Sequence, residues 1–251
     1  MSDITDRVSP EEWSIRQDLA AAYRLVAHYG WDDLIFTHLT ARVPGPDHHF
    51  LINPYGLMFE EVTASSLVKI DLEGNKVQKS PWSVNPAGFT IHSAVHEARE
   101  DAKCVMHLHT VDGTAVSAME GGLQPLTQIA MYVHEDLSYH EYEGIALDHE
   151  ERPRLVADLG DSCVMLLWNH GTLTLGETVG EAFMRMYALE KACSMQVALM
   201  SGPGIHHPPE GVAAKVAAQI AVPEFGSIVV NKLCWPALRR MLDRRDPTYA
   251  D

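Results

Sequence analysis

Three histidines follow two apolar runs of the sequence, and their type and spacing suit a metal ion. His107 and His109 end the segment CVMHLHT, and His170 follows the apolar run in SCVMLLWNHG. Alternate side chains of a strand point to the same face, so His107 and His109 should project together and reach one cation. Hydrogen bonding at a strand end explains an isolated pair equally well. A third histidine after a second apolar strand favours the metal, because catalytic metals typically have three protein ligands and open positions for water or substrate.

The elements that must position these histidines are predicted to be alternating helices and strands. SPEEWSIRQDLAAAYRLVAHYG predicts a helix with Ser9 as its N-cap and Gly30 as its C-terminal stop. Further helices are predicted in NPAGFTIHSAVHEARE, DGTAVSAME, RPRLVADLG, the long segment that Thr178 begins, and the region after Ser201. Strands are predicted in FTHLTARV, HHFLINP, the hairpin SLVKIDLEGNKV, CVMHLHT, LTQIAMYVH, YEGIAL and SCVMLLW. The pattern indicates the α/β or α+β class with a sheet that is at least partly antiparallel.

The composition and charge of the chain argue against nucleic-acid binding and membrane attachment. Hydrophobic residues make up 46% of the 251 residues and charged residues 21%, which is ordinary for a globular protein. A formal net charge of -15 and the lack of a Lys/Arg-rich run argue against nucleic acid as a partner. We expect a cytoplasmic protein without membrane attachment, because no apolar stretch could span a bilayer and the N-terminus lacks a secretory pattern. The four cysteines form no CxxC pair and are expected to be buried, reduced thiols.

Several separate segments occur in an order known from one protein family. They are FLINPYG, SLVKIDLEG, FTIHSAVHEAREDAKCVMHLHT, NHGTLTLG and a long helix that begins with EAF. In this order and spacing they resemble the class II aldolase/adducin family, over about residues 13 to 200. The resemblance implies an α/β fold, with a single three-layer α/β/α domain around a central, largely antiparallel sheet. That domain would span residues 1–251, with a helical C-terminal tail at 201–251.

The same resemblance implies a metal site and an assembly. It implies one divalent metal ion per chain, usually zinc with manganese or iron as alternatives, held by His107, His109 and His170. It also implies a homo-oligomer, a tetramer in many members, with active sites between neighbouring subunits. Each active site would bind a small-molecule substrate.

Two motifs of the family's sugar-phosphate aldolases are altered in this chain. Those enzymes carry a Ser-Ser-Glu motif before the helix that leads to the His-x-His pair, and its Glu is the acid/base. Gly88 stands at the matching position here, and a glycine cannot move a proton. Their Gly-Asn-x-Ser loop holds the substrate phosphate, but the matching segment here is FTHLT, with Thr37 and His38 in place of Gly-Asn and Thr40 in place of Ser. The next phosphate-binding element of those enzymes survives only as NPYG at 53–56.

The resemblance also suggests replacements for the missing groups. LSYHEYEG lies where family aldolases place a tyrosine that acts as an acid in a neighbouring subunit's site. Tyr139 is therefore the candidate catalytic residue and Tyr142 the second choice, although both could simply pack at an interface. The candidate substrate-binding residues are His38, Asn53, Gly56 and Asn85.

Three functions are compatible with this set of residues. We favour a metal-dependent lyase, an aldolase or decarboxylase, that cleaves a C–C bond in a non-phosphorylated carbonyl or carboxylate compound, because a metal ion stabilises the charge that develops on oxygen. The first alternative is a non-heme Fe(II) oxygenase, since three imidazoles with open positions also suit iron. The second is a non-catalytic, adducin-like binding domain. Retention of all three ligands argues against it, because an inactive site has no physical need for them.

Overall fold

A seven-stranded sheet in the order β3-β2-β1-β4-β7-β6-β5 forms the centre of the fold. Neighbouring strands are antiparallel, except for the parallel pair β5 and β6. The computed structural model describes residues 4–144, 149–202, 204–222 and 224–251, without the side chains of 5, 6, 86–89, 149 and 224–226. The strands are β1 (His38–Arg42), β2 (Phe50–Ile52), β3 (Val68–Ile70), β4 (Cys104–Leu108), β5 (Leu137–His140), β6 (Val164–Leu167) and β7 (Gly171–Gly176).

Helices cover both faces of this sheet. In the described ranges they are α1 (Pro10–Tyr29), α2 (Pro86–Ala98), α3 (Val111–Ser117), α4 (Gln128–His134), α5 (Arg152–Leu159), α6 (Val179–Met200), α7 (Val212–Ile220) and α8 (Trp235–Arg245). A π-helical segment, Glu224–Cys234, leads into α8. Among the described helices, none combines the length and the apolar character that a bilayer span requires.

The alternation of side chains along β4 separates two hydrophobic cores. Met106 and Leu108 belong to a cluster with residues of α1, α6 and α8, whereas Val105 packs with α2 and α5 on the opposite face. His107 shares the face of Val105, since strand side chains alternate. The sheet therefore lies between two helical layers, which confirms the predicted three-layer α/β/α class with a largely antiparallel sheet.

Helix α1 begins and ends where its sequence predicts. The hydroxyl of Ser9 accepts a hydrogen bond from the Glu12 N–H at 3.2 Å, and Gly30 ends the helix at φ +68°. The Ser9 hydroxyl and the Gly30 N–H, which donates to Ala27 O, satisfy backbone groups that a helix end leaves without partners. The C-terminal segment packs on this helix, because Trp235 Nε1 donates to Asp18 Oδ1 at 2.9 Å.

The prediction of a strand in LTQIAMYVH is wrong. These residues form α4, which begins after Thr127, whose hydroxyl accepts from the Ala130 N–H at 3.3 Å. Ala130 and Val133 are both buried, and their spacing of three residues is that of one helix face. A short apolar run does not distinguish a strand from a buried helix, which is why the pattern was ambiguous.

Three further details differ from the sequence prediction. The strand after α4 is Leu137–His140, and the predicted strand YEGIAL falls partly at 145–148, outside the described residues. In the predicted hairpin, the second arm is reduced to a single bridge between Ile70 and Lys76. Strand β7 was not predicted from the sequence, although every one of its residues is buried.

Candidate metal centre

His107 and His109 project from the end of β4 toward the same point. Their Nε2 atoms lie 3.0 Å apart and their ring centroids 4.8 Å apart. Leu108 between them is fully buried in the opposite core, as the alternation of strand side chains requires. The pair is therefore held by the local strand conformation.

His170 reaches this pair from the tight turn between β6 and β7. Asn169 takes φ +57°, a left-handed conformation that Asn tolerates better than most residues, and its N–H donates to Ser117 O at 3.0 Å. A Cβ on Gly171 would lie 2.4 Å from Leu108 O, so glycine is needed for β7 to begin so close to the end of β4. As a result, the His170 ring centroid lies 4.8 Å from those of both other histidines.

The three histidines together have the donor set of a metal site. Their ligand nitrogens all lie within 4.8 Å of one another. His107 Nδ1 donates to the carbonyl oxygen of Thr172 at 3.0 Å, and His109 Nδ1 donates to Asp33 Oδ2 at 3.2 Å. Because Nδ1 carries the proton in both rings, each Nε2 keeps a free lone pair. The residues therefore fit a divalent cation.

Burial keeps the imidazoles of His107 and His170 uncharged near neutral pH. Desolvation, and then the nearby imidazoles of His170 and His109, hold the pKa of His107 well below its usual range. Burial, followed by the charges of His109 and His140, lowers the pKa of His170 to about 4. Neutral imidazole is the form that ligates metal ions, so binding at pH 7 requires no proton loss from His107 or His170.

Asp33 is a site residue that the sequence analysis missed. It lies just after α1, 76 residues before the histidine that it contacts. The Phe36 N–H donates to Asp33 O at 2.8 Å, which closes the turn that presents the carboxylate. The available signal was an acidic pair after a helix, and this pattern is too common on protein surfaces to indicate a role.

Of the predicted substrate-binding residues, His38 is placed beside the histidine cluster by strand pairing. It lies opposite His107 in the register of β1 and β4, and burial followed by the charge of His109 lowers its pKa to about 4. Asn53 is buried, and its Oδ1 accepts from the Tyr23 hydroxyl at 3.0 Å. Gly56 is exposed in a turn at φ +106°, and Asn85 is half-buried just before α2. The substrate-binding roles of all four stay predictions.

The two candidate tyrosines lie in different surroundings. The Tyr139 hydroxyl accepts from the Leu123 N–H at 3.1 Å, and its ring stacks on Trp168 with centroids 4.5 Å apart. The Tyr142 ring is 51% exposed, and its centroid lies 5.9 Å from that of His170. Within one chain, Tyr142 is therefore the tyrosine beside the histidines, while the catalytic role of Tyr139 stays a prediction.

Helix α2 contains the position where the resemblance expects the catalytic Glu. Gly88 lies in its first turn, and the side-chain surroundings of residues 86–89 fall outside the described part of the structure. One turn further, His92 is fully buried. The inference that the family's acid/base is absent therefore rests on the sequence.

A buried hydrogen-bonded network on α2 was also missed. His96 Nδ1 donates to Ala102 O at 2.7 Å, so its Nε2 accepts from Thr40 Oγ1 at 2.8 Å. The same hydroxyl accepts from His92 Nδ1 at 2.7 Å, which leaves His92 Nε2 unprotonated and without a partner among the described residues. The His92 and His38 ring centroids lie 5.6 Å apart, so the network ends beside the candidate site. The available signal in the sequence was the spacing of four residues between His92 and His96, which places both on one face of a helix.

Comparison with known proteins identifies the family of this chain. The family model described as "Class II Aldolase and Adducin N-terminal domain" matches residues 17–197. A Caulobacter vibrioides protein named "Putative aldolase class 2 protein" is 56% identical over 247 residues, which are 98% of this chain and 95% of that protein. Alpha-adducin of Mus musculus is 48% identical over 193 residues, which are 76% of this chain and 26% of adducin.

A solved structure extends the similarity to the whole fold. The crystal structure of an aldolase II superfamily protein from Pseudomonas syringae is 49% identical and has a TM-score of 0.92. The match covers 100% of both chains. The family resemblance read from the sequence is thereby confirmed, and the chain belongs to the class II aldolase and adducin N-terminal domain family.

Proposed function

We propose that this protein is a metal-dependent lyase that cleaves a C–C bond next to a carbonyl or carboxylate in a non-phosphorylated small molecule. The observation that carries the proposal is the convergence of His107, His109 and His170, with their ligand nitrogens within 4.8 Å of one another. Two of these rings are oriented through Nδ1 by Thr172 and Asp33. Such outer contacts are typical of functional metal sites.

The three histidines would hold one divalent ion, for which zinc is the first candidate and manganese or iron the alternatives. When bound, the ion supplies Lewis-acid stabilisation of the negative charge that develops on a substrate oxygen during C–C cleavage. The chain's own contribution is to keep His107 and His170 neutral by burial, to orient the rings and to present one open side of the cluster to the substrate. Family membership and the name of the Caulobacter relative support an aldolase-type reaction.

The altered phosphate loop supports a substrate without a phosphate group. Thr37 takes φ +64°, a conformation that suits glycine, which agrees with its alignment to the family's Gly-Asn-x-Ser loop. The next residue, His38, is 4% exposed, and its lowered pKa leaves it uncharged at pH 7. A neutral imidazole offers a phosphate dianion no compensating charge. The group held beside it should therefore be an uncharged hydroxyl or carbonyl.

Exposed apolar residues beside the cluster support a homo-oligomer with the site near a subunit boundary. Val111, which follows the His107–Thr110 segment, is 86% exposed, and Leu34, which follows Asp33, is 61% exposed. Large apolar side chains at the rim of a site favour contact with another protein surface. We propose a homotetramer, and light scattering at micromolar concentration tests it. A monomer would contradict this part of the proposal.

Turnover by the metal-loaded protein tests the reaction. Hydroxy-keto acids, aromatic carboxylates and sugar phosphates are supplied under anaerobic conditions, with His109→Ala as the inactive comparison. We expect cleavage of a non-phosphorylated substrate and a metal content of about one ion per chain, which falls strongly in His109→Ala because one of three ligands is lost. A preference for a sugar phosphate would contradict the substrate class.

The same assay separates the two alternatives. Turnover that requires oxygen, together with iron in the purified protein, would favour the non-heme oxygenase. Metal binding without turnover of any substrate would favour an adducin-like binding domain, the candidate that the similarity to alpha-adducin supports.

A further inference from the structure

A buried carboxyl group on α6 lies behind the histidine cluster. Glu190 is 2% exposed, and two threonine hydroxyls donate to it. Thr110 Oγ1 donates to Oε2 at 2.6 Å, and Thr172 Oγ1 lies 3.1 Å from Oε1. These threonines belong to the end of the β4 segment and the start of β7, so Glu190 joins the two chain segments that carry the candidate ligands.

Both threonines are directly connected to those ligands. Thr110 follows His109 in the chain, and the carbonyl oxygen of Thr172 accepts from His107 Nδ1 at 3.0 Å. The space around the carboxyl group is closed. A Cβ on Gly113 would lie 2.8 Å from Glu190 Oε1 and 2.5 Å from Thr110 Oγ1. The position of Glu190 is therefore tightly defined relative to the cluster.

We propose that Glu190 is a positioning residue of the metal centre and that divalent metal binding shifts this carboxyl group to its ionised form, with release of its proton to solvent. The inference rests on the proposed metal site. Three neutral imidazoles leave the full charge of a divalent ion uncompensated, and such an ion is the largest local charge in its surroundings. Asp33 compensates part of it through His109, and Glu190 compensates a further part through Thr110 and Thr172.

The other groups around Glu190 leave it able to change charge near neutral pH. Burial raises its pKa to about 7, against the opposing hydrogen bonds from Thr110 and Thr172, and the nearby Asp112 raises it further. Asp112, on α3, accepts from Ser194 Oγ at 2.5 Å, and Cys193 is the titratable neighbour on α6 itself. A cation at the histidines favours the carboxylate, so its pKa falls on binding. Protons are then released between the pKa of the metal-bound state and about 7.

Calorimetric titration of metal-free protein with Zn²⁺ measures this release. The titration is run at about pH 6.5 in two buffers of different ionisation enthalpy, which counts the protons released per bound ion. Glu190→Gln keeps the shape, because its amide oxygen can still accept from Thr110 while its NH₂ group donates to Thr172. We expect wild type to release up to about one proton more than Glu190→Gln. The variant should bind Zn²⁺ more weakly, with a dissociation constant about 10-fold larger than that of wild type.

Glu181→Gln is the matched control, because Glu181 is a half-buried glutamate in the first turn of the same helix and accepts from Asn231 instead of the two threonines. It should release as many protons as wild type. Equal release by wild type and Glu190→Gln, with Zn²⁺ bound to both, would overturn this inference and leave the proposed metal site intact. Failure of wild type to bind Zn²⁺ would instead overturn the proposed function.

An infrared difference spectrum covers the case in which Glu190→Gln does not fold. Addition of Zn²⁺ to wild type at about pH 6.5 should remove a band of a protonated, buried carboxyl group. Wild type that binds Zn²⁺ without losing such a band would overturn the inference.

Discussion

His109 Nδ1 lies 3.2 Å from Asp33 Oδ2, across 76 residues of sequence. A carboxylate behind a ligating imidazole fixes the tautomer and the ring orientation, and it raises the basicity of the nitrogen that faces the metal. The side chains of His109 and Asp33 are 31% and 42% exposed, so the pair lies at the open side of the cluster. Asp33 therefore supports a ligand that is itself partly exposed.

Asp33→Asn should weaken metal binding without unfolding the protein. An amide can still contact His109, but it carries no negative charge, and loss of such outer partners typically costs about 10–100-fold in metal affinity. Equilibrium dialysis against Zn²⁺ or Co²⁺ measures the effect. Asp32→Asn is the control, since the neighbouring Asp32 has no contact with the ligands in the described structure. Equal losses in both variants would mean that only general charge matters.

Gly171→Ala should disturb both stability and metal binding. The new methyl group would lie 2.4 Å from Leu108 O, a backbone atom that cannot rotate away. Overpacking of this kind costs about 1–3 kcal/mol of unfolding free energy, and it would push His170 away from β4. Thermal unfolding and metal titration check the two effects. At Gly204 an added Cβ meets no atom within 4 Å among the described residues beyond its chain neighbours, so Gly204→Ala should behave like wild type.

The buried histidines should make the metal-free protein less stable as the pH falls. Burial, then the charge of Arg42, lowers the pKa of His96 from 6.5 to about 3 in the folded state, although its bond to Ala102 opposes the shift. The unfolded chain therefore binds a proton first, and stability is lost as the pH falls from about 6.5 toward about 3. Urea unfolding at several pH values should show a shallower decline in His96→Gln. An unchanged pH dependence would contradict the buried, neutral state of His96.

Paired tyrosine variants should separate structure from catalysis. Tyr139→Phe removes the acceptor of the Leu123 N–H and should cost about 1 kcal/mol of unfolding free energy. Tyr142→Phe should leave stability unchanged, because this ring is 51% exposed, and should slow turnover if its hydroxyl is the acid beside His170. Loss of a positioned acid typically costs about 10²–10⁴-fold in rate. A Tyr139→Phe protein with normal stability but reduced turnover would restore Tyr139 as the catalytic residue.

The interactions that act over a few residues were readable from the sequence. Ser9 and Gly30 delimit α1 because a hydroxyl cap and a left-handed glycine satisfy helix ends locally. The alternation of strand side chains likewise placed His107 and His109 on one face. LTQIAMYVH was wrongly predicted to be a strand because its apolar residues are compatible with a strand or a buried helix. Packing around this segment favours the helix α4.

The sequence by itself determined the metal-ligand candidates and the class of fold, since both depend on residue types at short spacing, and its resemblance to the family indicated the altered phosphate loop. The tertiary structure alone decided which groups orient those ligands. Thr172 is 65 residues from His107 and Asp33 is 76 residues from His109, and these pairs meet only because β1, β4 and β7 are adjacent in the sheet. Glu190 reaches Thr110 and Thr172 because α6 packs on the same strands. Such contacts follow from chain topology, and no local pattern of residues encodes them.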